Sequence, residues 1–300
     1  MKSSIQDVAQ LAHVSISTVS RSFTRPDLVS KATRDKVMKA ADELNFSISR
    51  SAAALKTGRA LRIAVLISGR LNLWFSSSIM EGLNESFHDE GYDISIYQMS
   101  SAEERRAFFD MLPVRRNVDA VIVISFDIDS NEIRQLRSVD VPIIGINSSL
   151  PEERGFNAAV RIDDKQGSEL AARIRTDREV TLHFSVQGRF DSFMTCCKSN
   201  GVEPRVFVTD EGKNNISKVV TQLLSSDHMP TAIACQEDGI AIPLLFQLER
   251  NGFTIPNDIS IIGYDDSTYA RDLGLTTIRQ TPVEMAHEAA RMTLALIDKQ

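Results

Sequence analysis

The chain has 300 residues, 42% hydrophobic and 25% charged, enough for two or three packed domains and ordinary for folded material rather than a disordered segment. No run approaches the roughly eighteen apolar residues of a membrane span, and the opening MKSSIQDVAQ lacks the apolar core of a signal peptide, so a cytoplasmic protein with no membrane partner is expected. The net charge of −6 divides unevenly: residues 1–62 carry 11 Lys and Arg against 5 Asp and Glu, a balance of +6, which leaves −12 for the remainder. A basic head attracts polyanions, and an acidic body resists lying along the same polyanion.

In chain order, Ser4 followed by Asp7 reads as a capping box, and Ile5, Val8, Ala9 and Ala12 recur at helical spacing, predicting a first helix over about Ile5 to Ala12. His13-Val14-Ser15 breaks it. Ser15 is a good N-cap for a second helix whose inward face is Val19 and Phe23, stopped by Arg25-Pro26-Asp27. A third helix begins near Ser30, with Ala32, Val37, Ala40, Ala41 and Leu44 placed to cover the first two. The short pair is thus held by a third helix, and the second helix keeps a free outer face of Ile16, Ser17, Ser20 and Arg21. Such a face suits entry into a DNA major groove, where Arg21 is the residue able to pair bidentately with a guanine edge. A three-helix module that docks another protein remains open on this geometry alone.

The run SIQDVAQLAHVSISTVSRSF, followed by VSKATRDKVMKAADELNF, resembles the N-terminal domain of the LacI/GalR family of bacterial transcription regulators over some forty positions. The resemblance implies a helix-turn-helix domain over 1–46 that reads operator DNA through Ile16, Ser17 and Arg21, with Ser4, Ser15, Thr18, Ser20, Ser30, Thr33 and Arg34 beside them. It also implies a hinge over 47–60, where SRSAAALKTGRA resembles the family's hinge helix and Leu55 stands where that family wedges a leucine into the minor groove, flanked by Ala52 and Lys56. An Ala-rich stretch this short forms a helix only when a partner and DNA stabilise it. Two positions depart from the family: Ile48-Ser49 replaces Pro-Asn, and Ala53 replaces a frequent Arg.

From Leu61 the texture changes. LRIAVLI, DISIYQM, DAVIVIS, PIIGIN, VTLHFSV, RVFVTD, TAIACQE and ISIIGYD are β-branched runs alternating with helical stretches, the pattern of parallel sheets with crossover helices. Eight strands in two doubly wound sheets are expected within an effector-binding and dimerisation domain over 61–300: one lobe over about 61–160 and 279–300, the other over 161–278. IPNDIS, IIGYDD and GLTTIRQ resemble the periplasmic-binding-protein-like ligand domain of the same family, an α/β fold overall. The segment Ile174 to Glu179 is shorter than the family's usual connection, and Gln300 precedes the family's last strand and tail.

Open α/β sheets bind ligands beyond the carboxyl ends of their strands. Trp74 and Phe75 follow the first strand and suit the apolar face of a sugar ring. The family resemblance implies that Arg189 grips ligand hydroxyls and that Asp238 and Asp265 accept hydrogen bonds from them; it extends to Ser76, Asp127, Phe190 and Glu237. Ser76 departs from a usual aromatic, and Glu237 from a usual Asn or Ser. Asp163, Asp238 and Asp265 are equally placed to cap the helices that follow them.

No enzyme chemistry finds a set of residues. DIDSNE begins like a calcium loop but lacks the glycine and glutamate that follow, HEAARM lacks the second histidine of a zinc-protease pattern, and His13, His88, His183, His228 and His287 show no ligand spacing. Cys196, Cys197 and Cys235 fit buried thiols, with no metal or cofactor expected. The expected function is a sequence-specific regulator, in first place a repressor of carbohydrate genes, that binds a pseudo-palindromic operator as a homodimer, with a tetramer open, and answers to a sugar-like effector. The alternatives are a sugar-binding protein whose head docks a protein partner, and a regulator that has lost its effector.

Overall fold

The computed structural model describes residues 3–24, 26–46, 59–68, 70–99, 101–111, 118–125, 128–138, 140–148, 155–172, 179–183, 187–208 and 216–299. The chain divides into two compact units, Met1–Leu61 and Arg62–Gln300. Residues 47–58, which hold most of the expected hinge with Ala52, Leu55 and Lys56, lie outside the described residues, as does Asp127.

The first unit contains α1 (Ile5–Leu11), α2 (Ile16–Thr24), a 3-10 turn over Pro26–Leu28 and α3 (Lys31–Glu43). Each helix starts on a serine whose hydroxyl accepts a first-turn backbone N–H: Ser4 from Asp7, Ser15 from Thr18 and Ser30 from Thr33. Asp7 completes the capping box by accepting the Ser4 N–H at 2.8 Å, and these Ser4 bonds hold its carboxyl below the usual carboxylate range. Val8, Ala9, Ala12, Val19, Val37, Ala40 and Ala41 form one small core, edged by Phe23 and Phe46 with ring centroids 6.3 Å apart. Ala32, expected in this core, is exposed. It sits in the first turn of α3, on the face turned away from the other two helices.

The turn between α1 and α2 closes by a six-residue helix-ending motif in which Val14 N–H meets the Ala9 carbonyl at 3.0 Å and His13 N–H meets the Gln10 carbonyl at 3.3 Å. This places His13 at φ 53, a left-handed position that glycine fills without a Cβ penalty.

The second unit holds two parallel sheets. The first has β1 (Arg62–Ser68), β2 (Asp93–Met99), β3 (Ala120–Ile124), β4 (Ile143–Ile146) and β5 (Ala158–Val160), in the order β2-β1-β3-β4-β5. The second has β6 (Glu179–His183), β7 (Arg205–Val208), β8 (Ala232–Cys235), β9 (Ser260–Asp265) and β10 (Thr276–Arg279), in the order β10-β9-β8-β6-β7. Traced from its first strand outward, each sheet has the same winding, with a switch point between β1 and β3 and between β6 and β8. The chain leaves the first sheet after β5 and, after β10, enters α12 (Pro282–Ile297), which packs on β4, β5 and α4 (Trp74–Asp89) of the first sheet's layer.

Ten strands are described where eight were expected. The two additional ones, β5 and β10, are edge strands, partly exposed along their length, whereas β3 and β4 are buried throughout. A fully buried strand reads as a continuous β-branched run; AAV and TTIR, paired on one side only, need no such run. The segment DIDSNE proves to be a helix start: Asp129 and Glu132 form a capping box on α6 (Ser130–Arg137), and Glu132 also pairs with Arg105 of α5 (Ala102–Met111). Trp74 and Phe75, read from the sequence as following the first strand, belong to the first turn of α4.

Two substitutions test this packing with opposite signs. His13→Gly removes the left-handed Cβ penalty and should stabilise the head by about 0.5–1 kcal/mol, read as slower amide exchange at Val8, Val19 and Val37 in the full-length chain. Gly82→Ala should destabilise the second unit by about 1–3 kcal/mol in chemical denaturation, because the added Cβ would stand 2.7 Å from the Val283 carbonyl oxygen and 2.9 Å from the Ala286 Cβ where α4 crosses α12.

Candidate functional site

On α2, Val19 is fully buried and Ser22 is 3% exposed, its hydroxyl donating to the Thr18 carbonyl at 2.9 Å. That bond lets a polar residue lie on the inward face, something the sequence pattern had not marked. The outward side carries exposed Ile16, Ser17 and Arg21, while Thr18 and Ser20 are half-buried. The Ser15 hydroxyl lies 2.8 Å from those of both Ser17 and Thr18. At the start of α3 the Ser30 and Thr33 hydroxyls are likewise 2.8 Å apart, with Lys31 exposed and Arg34 half-buried beside them. The head therefore presents an isolated arginine on a helix of otherwise compact exposed side chains, a shape a major groove admits, with hydroxyls and basic groups at the adjoining helix starts.

The second candidate region is the carboxyl edge of the second sheet. Arg189 lies in the first turn of α8 (Gln187–Ser199) and is 6% exposed. Its Nε donates to Asp164 of α7 (Asp164–Ala171) at 3.0 Å, its Nη1 donates to the Gln236 carbonyl at 2.6 Å, and its guanidinium carbon stands 3.6 Å from the centroid of the Tyr264 ring. The Tyr264 hydroxyl packs against Gly167, where any Cβ would collide with it, and burial pushes its ionisation up to about 12. Arg189 thus ties α7, α8, β8 and β9 together; as it stands, it is a brace rather than a free hand for a ligand. The half-buried Phe190 follows it. Ser168, Ala171, Arg189, Phe193, Cys235 and Tyr264 border a hollow with about 20 Å³ of room, enough for water and far too little for a sugar ring. Burial raises the ionisation of the Cys235 thiol there.

Asp238, the first residue of α10 (Asp238–Arg250), is 1% exposed. One carboxylate oxygen accepts the Ser267 N–H at 2.8 Å and the other accepts the Thr277 hydroxyl at 2.7 Å. Both oxygens thus meet scaffold donors, and Asp238 does not cap its own helix. Asp163, by contrast, caps α7 through the Gln166 N–H. Asp265 ends β9 at φ 129, accepts Nε2 of Gln280 on its carboxylate, and accepts the Gln280 N–H on its own carbonyl at 3.1 Å. Burial pushes the Asp265 carboxyl well above the usual range; Arg189 opposes the shift, and the charges of Asp238 and Glu237 add to it. Glu237, half-buried, is raised mainly by burial as well. Gln280, absent from the sequence-based set, is 8% exposed, and its Oε1 is buried with no partner.

In the first lobe Trp74 and Phe75 are half-buried and Ser76 is 6% exposed. All three stand in the first turn of α4, just beyond the carboxyl end of β1.

Comparison with known proteins fits both regions. Residues 4–49 match the family described as "Bacterial regulatory proteins, lacI family", and residues 174–300 match a periplasmic binding protein-like domain. The chain is 30% identical to the HTH-type transcriptional repressor CytR of Escherichia coli strain K12, across 97% of this chain and 88% of that protein. It is 28% identical to the repressor PurR of Vibrio parahaemolyticus, across 99% of this chain and 92% of that protein. Among solved structures, the Lac repressor dimer bound to operator and the anti-inducer ONPF superposes with a TM-score of 0.84 at 24% identity, covering 100% of this chain and 94% of that one. A complex of the transcriptional regulator CelR with cellobiose gives 0.66 at 22% identity, covering 99% and 94%. With a basic three-helix head that leaves α2 open, a two-sheet body and a relative this similar along nearly its whole length, the chain belongs to the LacI family of bacterial regulatory proteins, DNA-binding regulators of transcription.

Proposed function

We propose that this regulator is a repressor that works in the cytoplasm as a homodimer, each copy laying α2 into the major groove of one half of a pseudo-palindromic operator. The observation that carries this reading is the exposed face of α2, with Ile16, Ser17 and Arg21 outward on a helix clamped by α1 and α3. Two equal heads reading one duplex call for a two-fold site. Ser4, Ser15, Ser30, Thr33, Lys31 and Arg34 are then the groups near phosphates, and Ala52, Leu55 and Lys56 supply the minor-groove contact of the hinge. The Lac repressor dimer bound to operator, to which the fold is similar, supports this arrangement.

A small polar effector, a sugar in this reading, binds between the two lobes, where Trp74 and Phe75 offer apolar surface and the strand ends carrying Glu237 and Asp265 offer acceptors. Cellobiose in the CelR complex supports a carbohydrate at this kind of fold. Binding that favours one lobe arrangement over the other shifts the operator-competent population by the difference in affinity. Because Arg189 is already braced, it acts here by holding the strand ends in place.

The test is selection of bound duplexes from a random pool by full-length protein, followed by fluorescence-anisotropy titration. An enriched pseudo-palindrome is expected; salt-sensitive binding with no enriched sequence would overturn operator reading and favour a protein-docking head. On the enriched site, Arg21→Ala should weaken binding by about 1–3 kcal/mol and relax preference at one base pair per half-site. Lys31→Ala should instead weaken all duplexes alike and reduce the slope of log affinity against log salt by about one. An unchanged preference in Arg21→Ala would show that another face of α2 does the reading.

A further inference from the structure

We propose that the effector carries a positively charged amine, which sits against Glu237 and Asp265 with Gln280 at its side. This deepens the proposed effector site and rests on it. Strands β8, β9 and β10 are parallel neighbours, so Glu237, Asp265 and Gln280, standing at or just past their ends, emerge along one stretch of sheet edge.

What these residues lack is consistent. Gln280 turns Nε2 towards the Asp265 carboxyl, and the atom this leaves buried without a partner is its acceptor, Oε1. The Glu237 carboxylate has no hydrogen bond or ion pair among the described residues. Arg189, 6% exposed, pairs with a further carboxylate, Asp164, while Arg271 and Arg279 pair with Asp266. Among the described residues each of these arginines is paired with Asp164 or Asp266, and Glu237 has no ion pair of its own. An unpaired buried acceptor is costly, and an ammonium brings three donors together with the missing charge. Glu237 precedes α10 without a side-chain capping bond, which leaves its carboxylate available.

The experiment is calorimetric titration of the full-length protein and of Glu237→Gln with D-glucosamine, D-glucose, D-glucuronate and putrescine. Glucosamine should bind about tenfold more tightly than glucose, with glucuronate weakest, and Glu237→Gln should bring glucosamine down to the level of glucose. Putrescine binding with the same dependence on Glu237 also supports the proposal and shows that an aliphatic amine suffices. Glucose or glucuronate binding as tightly as glucosamine, or a glucosamine preference that survives in Glu237→Gln, overturns the amine while leaving the effector site standing. Failure of all four to bind overturns the site together with the amine.

Discussion

Parallel pairing is the constraint from which the ligand-binding half of this protein follows. Strands that all run one way deliver every carboxyl end to the same edge, and at a switch point the connections leave in opposite directions, opening a crevice. Here that rule operates twice, at β1/β3 and at β6/β8, and it brings together residues from five separated segments: Asp164, Arg189, Glu237, Asp265 and Gln280. None of these is near another in sequence. Their chemistry exists only because the backbone ladder fixes where each strand stops.

Within that edge a division of labour is visible. Asp238 and Arg189 are committed to protein partners, and their contacts hold the β9–α11 loop, where α11 is Thr268–Asp272, and the adjoining helices in register. Breaking a buried ion pair such as Arg189 with Asp164 costs more than the pair contributes when intact, because the remaining charge is stranded. Glu237, Asp265 and Gln280 are less fully answered, and that asymmetry is what gives the edge a chemical preference. The head solves a different problem: a core of small side chains holds three helices only because each start is capped and the turn before α2 closes on itself at His13.

The legibility of the sequence follows burial. The three head helices could be read because Ser4, Ser15 and Ser30 mark their starts and apolar residues recur at helical spacing behind them. The central strands could be read because both their faces are covered, which demands unbroken β-branched runs such as AVIVI over Ala120–Ile124. AAV and TTIR escaped because they are short, partly exposed edge strands, whereas the other two edges, β2 and β7, still carry β-branched and aromatic residues enough to be read. Ser22 escaped because its hydroxyl returns to the Thr18 carbonyl.

The sequence by itself determined which segments are helix or strand, that the head is basic and the body acidic, and that Arg21 faces outward from α2, since each of these depends on neighbours within a few turns. Only the tertiary structure decided what Asp238, Arg189 and Gln280 do. Asp238 meets partners 29 and 39 residues away, Arg189 meets one 47 residues away, and a long-range hydrogen bond leaves no local periodicity to read.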